Sequence, residues 1–247
     1  MKAIFLAAGE GSRLRPLTDE LPKCMIPFRG KPLLQYGIDA MLSAGIVDLI
    51  VVRGYKKEKI KYGDVKYVDN PRYSMTNMVA TLFCAAGEFN DDLLVSYADI
   101  VYGPDIVKAL IDTPAEIGVV VDKEWFDQWS FRMENPLMDA ETLKLDRNSN
   151  IIEIGKKPRS YDDIEGQYIG LIKFSRKILP EVQHFYDSLD KKRNYDGKNV
   201  DNMYMTTFLQ LLADAGFELK AVPIKGGWLE IDTLNDLKQL EESNFLR

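Results

Sequence analysis

Histidine and cysteine are scarce in this chain of 247 residues. His184 is the one histidine, and it falls in a stretch of helical character, VQHFYDSL, where a structural role is expected. Cys24 and Cys84 are too few and too far apart for a disulfide framework or a zinc site, so reduced thiols are expected. The sequence therefore argues against histidine general-base chemistry and against a cysteine-rich centre.

Long apolar runs and an excess of positive charge are also missing. The formal net charge is −6, whereas nucleic-acid binding normally needs a basic face. No apolar run approaches the roughly 20 residues of a membrane helix. The amino end resembles a strand and shows no signal-peptide pattern. We therefore expect a cytoplasmic protein that has neither nucleic acid nor a membrane as its partner.

Short apolar segments alternate with amphipathic ones through the first half of the chain. Thr76 is the expected cap of the second helix. The alternation predicts an α/β fold, a Rossmann-like doubly wound and mostly parallel sheet with helices on both faces. Strands are predicted at 3–8, 47–52, 65–68, 93–97 and 117–121, and helices at 32–44, 76–86 and 105–111.

The pattern changes after about Asp122. Shorter segments with alternating polarity predict a hairpin, which the turn residues Asn148, Ser149 and Asn150 close. We predict one domain, 1–247, with a core of about 1–122 and 175–247 and a small inserted α+β lobe of about 123–174. The later elements are strands at 141–145, 151–154, 168–174 and 219–224, and helices at 176–190, 202–215 and 234–242.

A glycine-rich loop, LAAGEGSRLRPLTDELPK, follows the first predicted strand. Glycine lets the backbone approach a ligand closely, and ligands of open α/β sheets bind beyond the carboxyl ends of the strands. Leu14 stands where a dinucleotide fingerprint has its third glycine, and no P-loop string is present. Arg13 and Lys23 suit phosphate oxygens. The loop thus indicates a phosphate site of another kind, the alternative being a solvated turn with surface cations.

The same stretch resembles the signature of nucleotidyltransferases that make nucleoside-diphosphate sugars and related activated metabolites, G-x-G-x-R-[LM]-x-P-L-T followed by P-K. The resemblance implies that Arg13 and Lys23 are catalytic and stabilise the charge that develops as pyrophosphate leaves. It also implies that the loop binds the nucleotide. The matching positions are Gly9, Gly11, Arg13, Leu14, Pro16, Leu17, Thr18, Pro22 and Lys23, and the implied nucleotide-binding residues here are Leu6, Ala8, Gly9, Gly11, Ser12, Arg13 and Lys23.

Two aspartates match the metal positions of these enzymes. Asp99, in SYADI, follows the fourth strand, and Asp232, in WLEIDTLNDL, precedes the last helix. The resemblance implies that they bind Mg²⁺, which prefers hard oxygen ligands, and that Asp99 also lies at the nucleotide. The alternatives are a strand-end turn for Asp99 and a helix cap for Asp232, a role that Thr233 could equally fill. Glu230 lies two residues before Asp232 and is a further candidate, for the metal or the substrate.

The base-binding segment has its own resemblance. The segment NPRYSMTNMVATL resembles bacterial phosphocholine cytidylyltransferases and their CTP-using relatives, and the glutamine with a proline-glycine run typical of UTP and dTTP enzymes is absent. Asn77 would contribute to the base pocket, because an amide can donate to and accept from cytosine. The alternative is that Asn77 only starts the helix.

Residues of the inserted lobe and the carboxyl-terminal region suggest how the acceptor binds. An aromatic box for a quaternary ammonium group could form from Trp125, Trp129, Tyr168 and Trp228, although large aromatics usually form core. Arg132 could instead fork an acceptor carboxylate.

Lys157 resembles the lysine of the E-K-P landmark of sugar nucleotidyltransferases and would reach the acceptor phosphate. The residue before it is Lys156 and not glutamate, which departs from that landmark, and a solvent-exposed lysine at the hairpin exit is the alternative.

The sequence therefore predicts a Mg²⁺-dependent cytidylyltransferase. It would transfer CMP from CTP to a small phosphorylated or phosphonate amino compound, such as phosphocholine, phosphoglutamine or aminoethylphosphonate, and release pyrophosphate. A sugar-1-phosphate nucleotidyltransferase using UTP or dTTP is one alternative, and a non-catalytic nucleotide-binding regulatory module is another. The acceptor, the pathway and the oligomeric state stay open, and a homo-oligomer is compatible with the sequence.

Overall fold

Strands and helices alternate along the chain in a computed structural model that describes residues 1–246. The strands are β1 (Lys2–Ala7), β2 (Pro27–Phe28), β3 (Lys31–Pro32), β4 (Asp48–Arg53), β5 (Lys66–Asp69), β6 (Leu93–Tyr97), β7 (Ile100–Tyr102), β8 (Ile117–Asp122), β9 (Leu143–Leu145), β10 (Ile151–Ile154), β11 (Gln167–Phe174), β12 (Leu219–Ile224) and β13 (Trp228–Glu230). The helices are α1 (Leu33–Ser43), α2 (Met78–Phe83), α3 (Pro104–Asp112), α4 (Trp125–Arg132), α5 (Leu179–Ser188), α6 (Met205–Asp214) and α7 (Leu234–Glu241). Within residues 1–246 no helix combines the length and the apolar character that crossing a membrane requires.

The central sheet has seven strands in the order β12-β8-β11-β6-β1-β4-β5. Strand β1 pairs in parallel with β4 and β6, β4 with β5, and β8 with β12. Strand β11 is the exception and runs antiparallel to β6 and β8. The predicted α/β fold with a mostly parallel sheet is confirmed.

Both faces of this sheet are buried, which explains the continuous apolar runs of its strands. Ile4 and Phe5 are both fully buried, yet they belong to different core clusters because successive side chains of a strand point to opposite faces. Leu94 and Val95 on β6 divide in the same way.

The segment predicted as an inserted lobe, 123–174, contains α4 and the antiparallel hairpin β9–β10, as expected. Its last strand, β11, lies instead inside the central sheet. Leu171 and Ile172 are fully buried on opposite faces, so this strand has the composition of a central one. Residues 123–166 are therefore the part that leaves the sheet, and the division of the chain into core and lobe stays a prediction.

Helix α2 starts later than predicted, and Thr76 is not its cap. The side chain of Asn77 accepts a hydrogen bond from the Met78 N–H at 2.8 Å, so Asn77 is the N-cap. The hydroxyl of Thr76 is engaged elsewhere, since it accepts from the amide of Asn70 at 2.9 Å and donates to the carbonyl of Arg72 at 3.0 Å.

A two-stranded ribbon brings the carboxyl-terminal region to the functional edge of the sheet. Strand β13 pairs antiparallel with β7, and Glu230 is opposite Ile100, the residue after Asp99. The Ile231 N–H donates to the carbonyl of Asp99 at 3.3 Å. Residues more than 100 positions apart in sequence therefore meet where β1 and β6 end.

Candidate active site

A cleft of about 240 Å³ opens at the carboxyl ends of β1 and β6. The glycine loop forms one wall, the start of α2 another, and the end of the β7–β13 ribbon a third. The cleft brings together most of the residues that the sequence singled out. Those that line it are Leu6, Ala8, Gly9, Gly11, Arg13, Lys23, Asn77, Asp99, Glu230 and Asp232.

The glycine loop is shaped by contact with Lys23. Gly11 has φ +66°, a left-handed conformation that side chains disfavour, and a Cβ placed there would lie 2.6 Å from the Cβ of Lys23. The hydroxyl of Thr18 donates to the Gly11 carbonyl at 3.1 Å. Ser12, predicted to bind the nucleotide, is exposed at the start of a single 3₁₀ turn and does not line the cleft. Glycine at position 11 thus lets the lysine stem pack directly under the loop.

Lys23 joins the two predicted metal aspartates. Its Nζ lies 2.7 Å from Oδ2 of Asp99 and 2.5 Å from Oδ1 of Asp232. Burial opposes the charged ammonium, but the fields of Asp99, Asp232 and Glu230 outweigh burial and raise the pKa of Lys23. Lys23 is therefore a permanent cation at the bottom of the cleft.

Arg13 reaches the same carboxylate from the open side of the cleft. Its Nη2 lies 3.0 Å from Oδ1 of Asp232, while its side chain is 63% exposed. An exposed guanidinium at this position can fork phosphate oxygens. The two cations predicted to be catalytic therefore converge at Asp232, one buried and one accessible.

The carboxylates of Asp99, Glu230 and Asp232 form a compact acidic cluster, with one oxygen of each within 4.8 Å of the others. Burial and the charges of Asp232 and Asp99 raise the pKa of Glu230 to about 8. Oδ1 of Asp99 is buried and has no hydrogen-bond partner within residues 1–246. A set of hard oxygens with an unsatisfied buried member fits Mg²⁺.

Asp232 is not the cap of the last helix. Thr233 caps α7, and its side chain accepts from the N–H of Asp236 at 3.1 Å while Asp236 accepts from the Thr233 N–H at 2.8 Å. This capping box satisfies the first turn of the helix without the Asp232 carboxylate. The side chain of Asp232 is thereby left to line the cleft.

The predicted aromatic box does not form. Trp129 and Trp228 are 4% and 1% exposed, and neither lines the cleft. Their indole N–H groups donate to Asp139 at 3.1 Å and to Asp122 at 2.9 Å. The structure therefore does not bring these rings to the cleft, because both are packed in the core and their N–H groups are satisfied there.

Arg132 also has a different role from the one expected. Its Nε and Nη2 donate to the two carboxylate oxygens of Asp236 at 2.9 and 3.1 Å, and the side chain is 3% exposed. Nε and Nη2 of the guanidinium are therefore occupied by Asp236, while the buried Nη1 has no hydrogen-bond partner within residues 1–246, and Arg132 does not line the cleft.

The two other acceptor candidates also lie outside the cleft lining. Lys157 is exposed and forms no ion pair within the described residues. The ring of Tyr168 packs edge-on against Tyr97, with centroids 5.8 Å apart, and its hydroxyl is buried. Tyr168 therefore supports Tyr97, which itself lines the cleft.

Several cleft residues were not among the predicted site residues. Tyr97 and Cys24 are sequence neighbours of motif residues, at the end of β6 and beside Lys23, and that adjacency is the signal that could have found them. Cys24 is buried, and burial raises the pKa of its thiol to about 12, which favours the protonated thiol at neutral pH. The other cleft residues outside the prediction are Ala7, Tyr73, Thr76, Met78, Thr81 and Ala98.

Residues 3–195 match the family model of the MobA-like NTP transferase domain. The chain is 50% identical to the CTP:phosphoglutamine cytidylyltransferase of Campylobacter jejuni, over 98% of this chain and 100% of that protein. It is 38% identical to the choline-phosphate cytidylyltransferase of Streptococcus pneumoniae, over 38% of this chain and 43% of the relative. The solved inositol-1-phosphate CTP transferase from T. maritima shares the fold, with a TM-score of 0.73 at 21% identity over 98% of this chain and 96% of that one. The chain therefore belongs to the MobA-like NTP transferase domain family and is a nucleotidyltransferase.

Proposed function

We propose that the protein is a Mg²⁺-dependent cytidylyltransferase that transfers CMP from CTP to a small phosphorylated amino compound of the phosphoglutamine type and releases pyrophosphate. The observation that carries this proposal is the meeting of Lys23 with Asp99 and Asp232 below the glycine loop. The choice of CTP and of the acceptor class is supported by the relative that matches over its full length, which is a CTP:phosphoglutamine cytidylyltransferase.

In the proposed reaction an acceptor phosphate oxygen attacks the α-phosphorus of CTP in line and expels pyrophosphate. The attacking phosphate is already ionised, so no general base is needed, and His184 lies on α5 outside the cleft lining. Lys23 and Arg13 stabilise the charge that accumulates on the phosphate oxygens and the leaving group. Such positioned cations supply most of the catalysis in phosphoryl transfer.

Asp99 and Asp232, with Glu230 beside them, would hold Mg²⁺. The bound ion would neutralise phosphate charge, as hard divalent cations do in nucleotide sites. The buried Oδ1 of Asp99, which lacks a hydrogen bond within residues 1–246, supports this assignment.

Asn77 is our candidate for recognising the base. Its carbonyl oxygen is used by the helix cap, whereas its amide nitrogen makes only a long contact, 3.5 Å, to the carbonyl of Asn202. The amide N–H group can therefore turn to a pyrimidine acceptor in the cleft. Cytosine presents such acceptors, as uracil and thymine do, so Asn77 would recognise a pyrimidine and the lean to CTP is supported by the full-length relative.

Glu230 lines the cleft beside Asp99 and Asp232 and is our candidate for contacting the acceptor. The charge of a bound acceptor ammonium would lower the raised pKa of Glu230 and so favour an ion pair there, since Arg132 and the two tryptophans lie outside the cleft lining. A small amino-bearing phosphate therefore fits this cleft better than a compound that needs an aromatic cage.

A pyrophosphate-release screen tests the proposal. CTP, UTP, GTP, ATP and dTTP would each be paired with phosphoglutamine, phosphocholine, aminoethylphosphonate and glucose 1-phosphate, with Lys23→Ala as the inactive reference. We expect turnover with CTP and an amino-bearing acceptor. Turnover with UTP or dTTP and glucose 1-phosphate, and none with CTP, would instead establish the sugar-1-phosphate alternative.

A further inference from the structure

Arg132 lies at the end of α4, in the segment that leaves the central sheet, and its guanidinium is buried beside the carboxylates of the cleft. The side chain is 3% exposed. Arginine keeps its charge at any working pH, so a buried guanidinium needs anionic partners within close reach. Those partners show what Arg132 does.

Asp236, which is 4% exposed, is the main partner. The carboxylate accepts from Nε of Arg132 at 2.9 Å and from Nη2 at 3.1 Å. A bidentate pair of this kind sets the relative orientation of both groups, which a single hydrogen bond does not. Helix α4 and helix α7 are thereby joined at one point.

The same carboxylate also holds the backbone of a proposed metal ligand. Oδ2 of Asp236 accepts from the N–H of Asp232 at 3.1 Å and from the N–H of Thr233 at 2.8 Å. Four donors therefore converge on Asp236, two from Arg132 and two from the turn that carries Asp232. Moving the guanidinium would move the carboxylate that anchors this turn.

Arg132 also lies close to the acidic cluster itself. Its Nη1 is 3.9 Å from Oε2 of Glu230, and its Nη2 is 3.9 Å from Oδ2 of Asp232. Lys23 contacts Asp232 through the other oxygen, Oδ1. The two oxygens of Asp232 thus face two different cations, one under the glycine loop and one on α4.

We propose that Arg132 is a positioning residue for the divalent cation site. Through Asp236 it fixes the turn that carries Asp232, and its buried Nη1, which has no hydrogen-bond partner within residues 1–246, lies beside the Glu230 carboxyl. This inference rests on the proposed metal-dependent function and goes beyond it, since Arg132 itself contacts neither substrate nor ion.

Two substitutions separate the bidentate hydrogen bonding of Arg132 from its positive charge. Arg132→Lys keeps a cation and loses the bidentate geometry, and Arg132→Met loses both. We expect both variants to bind Mn²⁺ alone about 10- to 100-fold more weakly than the wild type, the usual cost of removing a partner behind a metal ligand. Turnover should recover towards the wild-type value as Mg²⁺ is raised. A purely electrostatic effect would instead tighten Mn²⁺ binding in Arg132→Met and leave Arg132→Lys unchanged, which would overturn the proposal.

Arg29 offers a matched control, because it ties the other end of the same helix. Its guanidinium donates to the carbonyls of Leu240 at 2.8 Å and Glu241 at 2.9 Å. We expect Arg29→Lys to lower the melting temperature and leave the Mn²⁺ affinity unchanged. Equal losses of Mn²⁺ affinity in Arg29→Lys and Arg132→Lys would reduce Arg132 to a general structural role.

The double variant Arg132→Met with Asp236→Asn removes the buried pair together. Stability should return in part, because no unpaired charge remains inside the protein. The Mn²⁺ affinity should stay low, because Arg132 no longer positions the residue 236 side chain that holds the backbone of Asp232. Full recovery of the affinity would show that Arg132 only neutralises Asp236, against the proposal.

A crystal structure of Arg132→Met gives a readout that needs neither metal nor turnover. We expect the Asp232 and Glu230 carboxylates to be displaced, and unchanged positions would overturn the inference. If the wild type itself neither binds Mn²⁺ nor turns over CTP, the proposed function fails, and the carboxylate positions still decide the role of Arg132.

Discussion

Lys23 and Asp232, 209 positions apart in the chain, form an ion pair at the bottom of the cleft, with Nζ and Oδ1 2.5 Å apart. The same ammonium contacts Asp99. A divalent cation that binds these carboxylates has to compete with Lys23 for their oxygens, and the ammonium would then be free to turn to the phosphates. Because of this competition, replacing the lysine should change the metal affinity and kcat in opposite directions.

Lys23→Ala should therefore bind a metal more tightly while it catalyses less. Removing the ammonium takes away a close repulsive charge, so the affinity for Mn²⁺ alone should rise by about tenfold or more. The kcat should fall by on the order of a hundredfold or more, because a transition-state donor is lost. Calorimetry of the free protein and steady-state kinetics check the two parts.

Lys31→Ala is the control for Lys23→Ala, since it removes a more exposed lysine that pairs with Asp39. Neither the Mn²⁺ affinity nor kcat should change in it. Weaker Mn²⁺ binding by Lys23→Ala would mean that the lysine organises the carboxylates and does not compete for them.

Gly11→Ala should damage both the loop and the lysine beneath it. The new Cβ would lie 2.6 Å from the Cβ of Lys23, and φ is +66°. We expect a lower melting temperature, with about 1–2 kcal/mol from the left-handed conformation alone, and a large loss of kcat. Gly9→Ala is the matched control, because nothing lies within 4 Å of a Cβ there. It should fold with wild-type stability, and equal melting temperatures for the two variants would contradict the steric account.

Asn77→Asp separates the capping role of this residue from its proposed role at the base. Aspartate still accepts from the Met78 N–H, so the helix cap survives, whereas the amide donor is lost. We expect unchanged stability and a raised KM for CTP. Asn77→Ala should lose both the helix cap and the amide donor, and the lost cap should lower the free energy of unfolding by about 1 kcal/mol. A KM for CTP that is unaffected in Asn77→Asp would leave the residue as a cap alone.

Glu141 should make stability depend on pH. Burial raises its pKa to about 7, opposed by a hydrogen bond from Thr206 and aided by the charge of Asp139. The folded protein therefore holds a proton that the unfolded chain releases near pH 4.5, and stability falls as pH rises through this window. In urea unfolding, the free energy of unfolding of Glu141→Gln should exceed that of the wild type by an amount that grows with pH. The difference should reach roughly 3 kcal/mol and level off above pH 7.

Glu58→Gln, at an exposed position, is the control for the change of charge. The free energy of unfolding of Glu58→Gln, measured across the same pH range, is subtracted to correct for the loss of one carboxylate. A constant difference for Glu141→Gln would show that its carboxyl is ionised throughout the window.

Local signals were sufficient for the fold, and the family resemblance named most of the residues that line the cleft. Continuous apolar runs indicated strands buried on both faces, and the hairpin followed from its turn residues. The motif residues Gly11, Arg13 and Lys23 lie within one loop, so their grouping depends on a short stretch of chain. Asp99 and Asp232 came from the resemblance to the nucleotidyltransferases, which places two aspartates at these element ends.

The sequence by itself determined the alternation of elements, the sheet and the position of the glycine loop, because these follow from side-chain periodicity and from glycine. Only the tertiary structure decided whether a polar or aromatic side chain lines the cleft or is buried and paired in the core. Trp129, Trp228 and Arg132 have the composition of a binding site, yet the packing of α4 against the carboxyl-terminal region buries them. The role of Asp236 is seen only in the tertiary structure, since its hydrogen-bond partners come from two distant parts of the chain. Burial and pairing depend on long-range contacts, which no local pattern records.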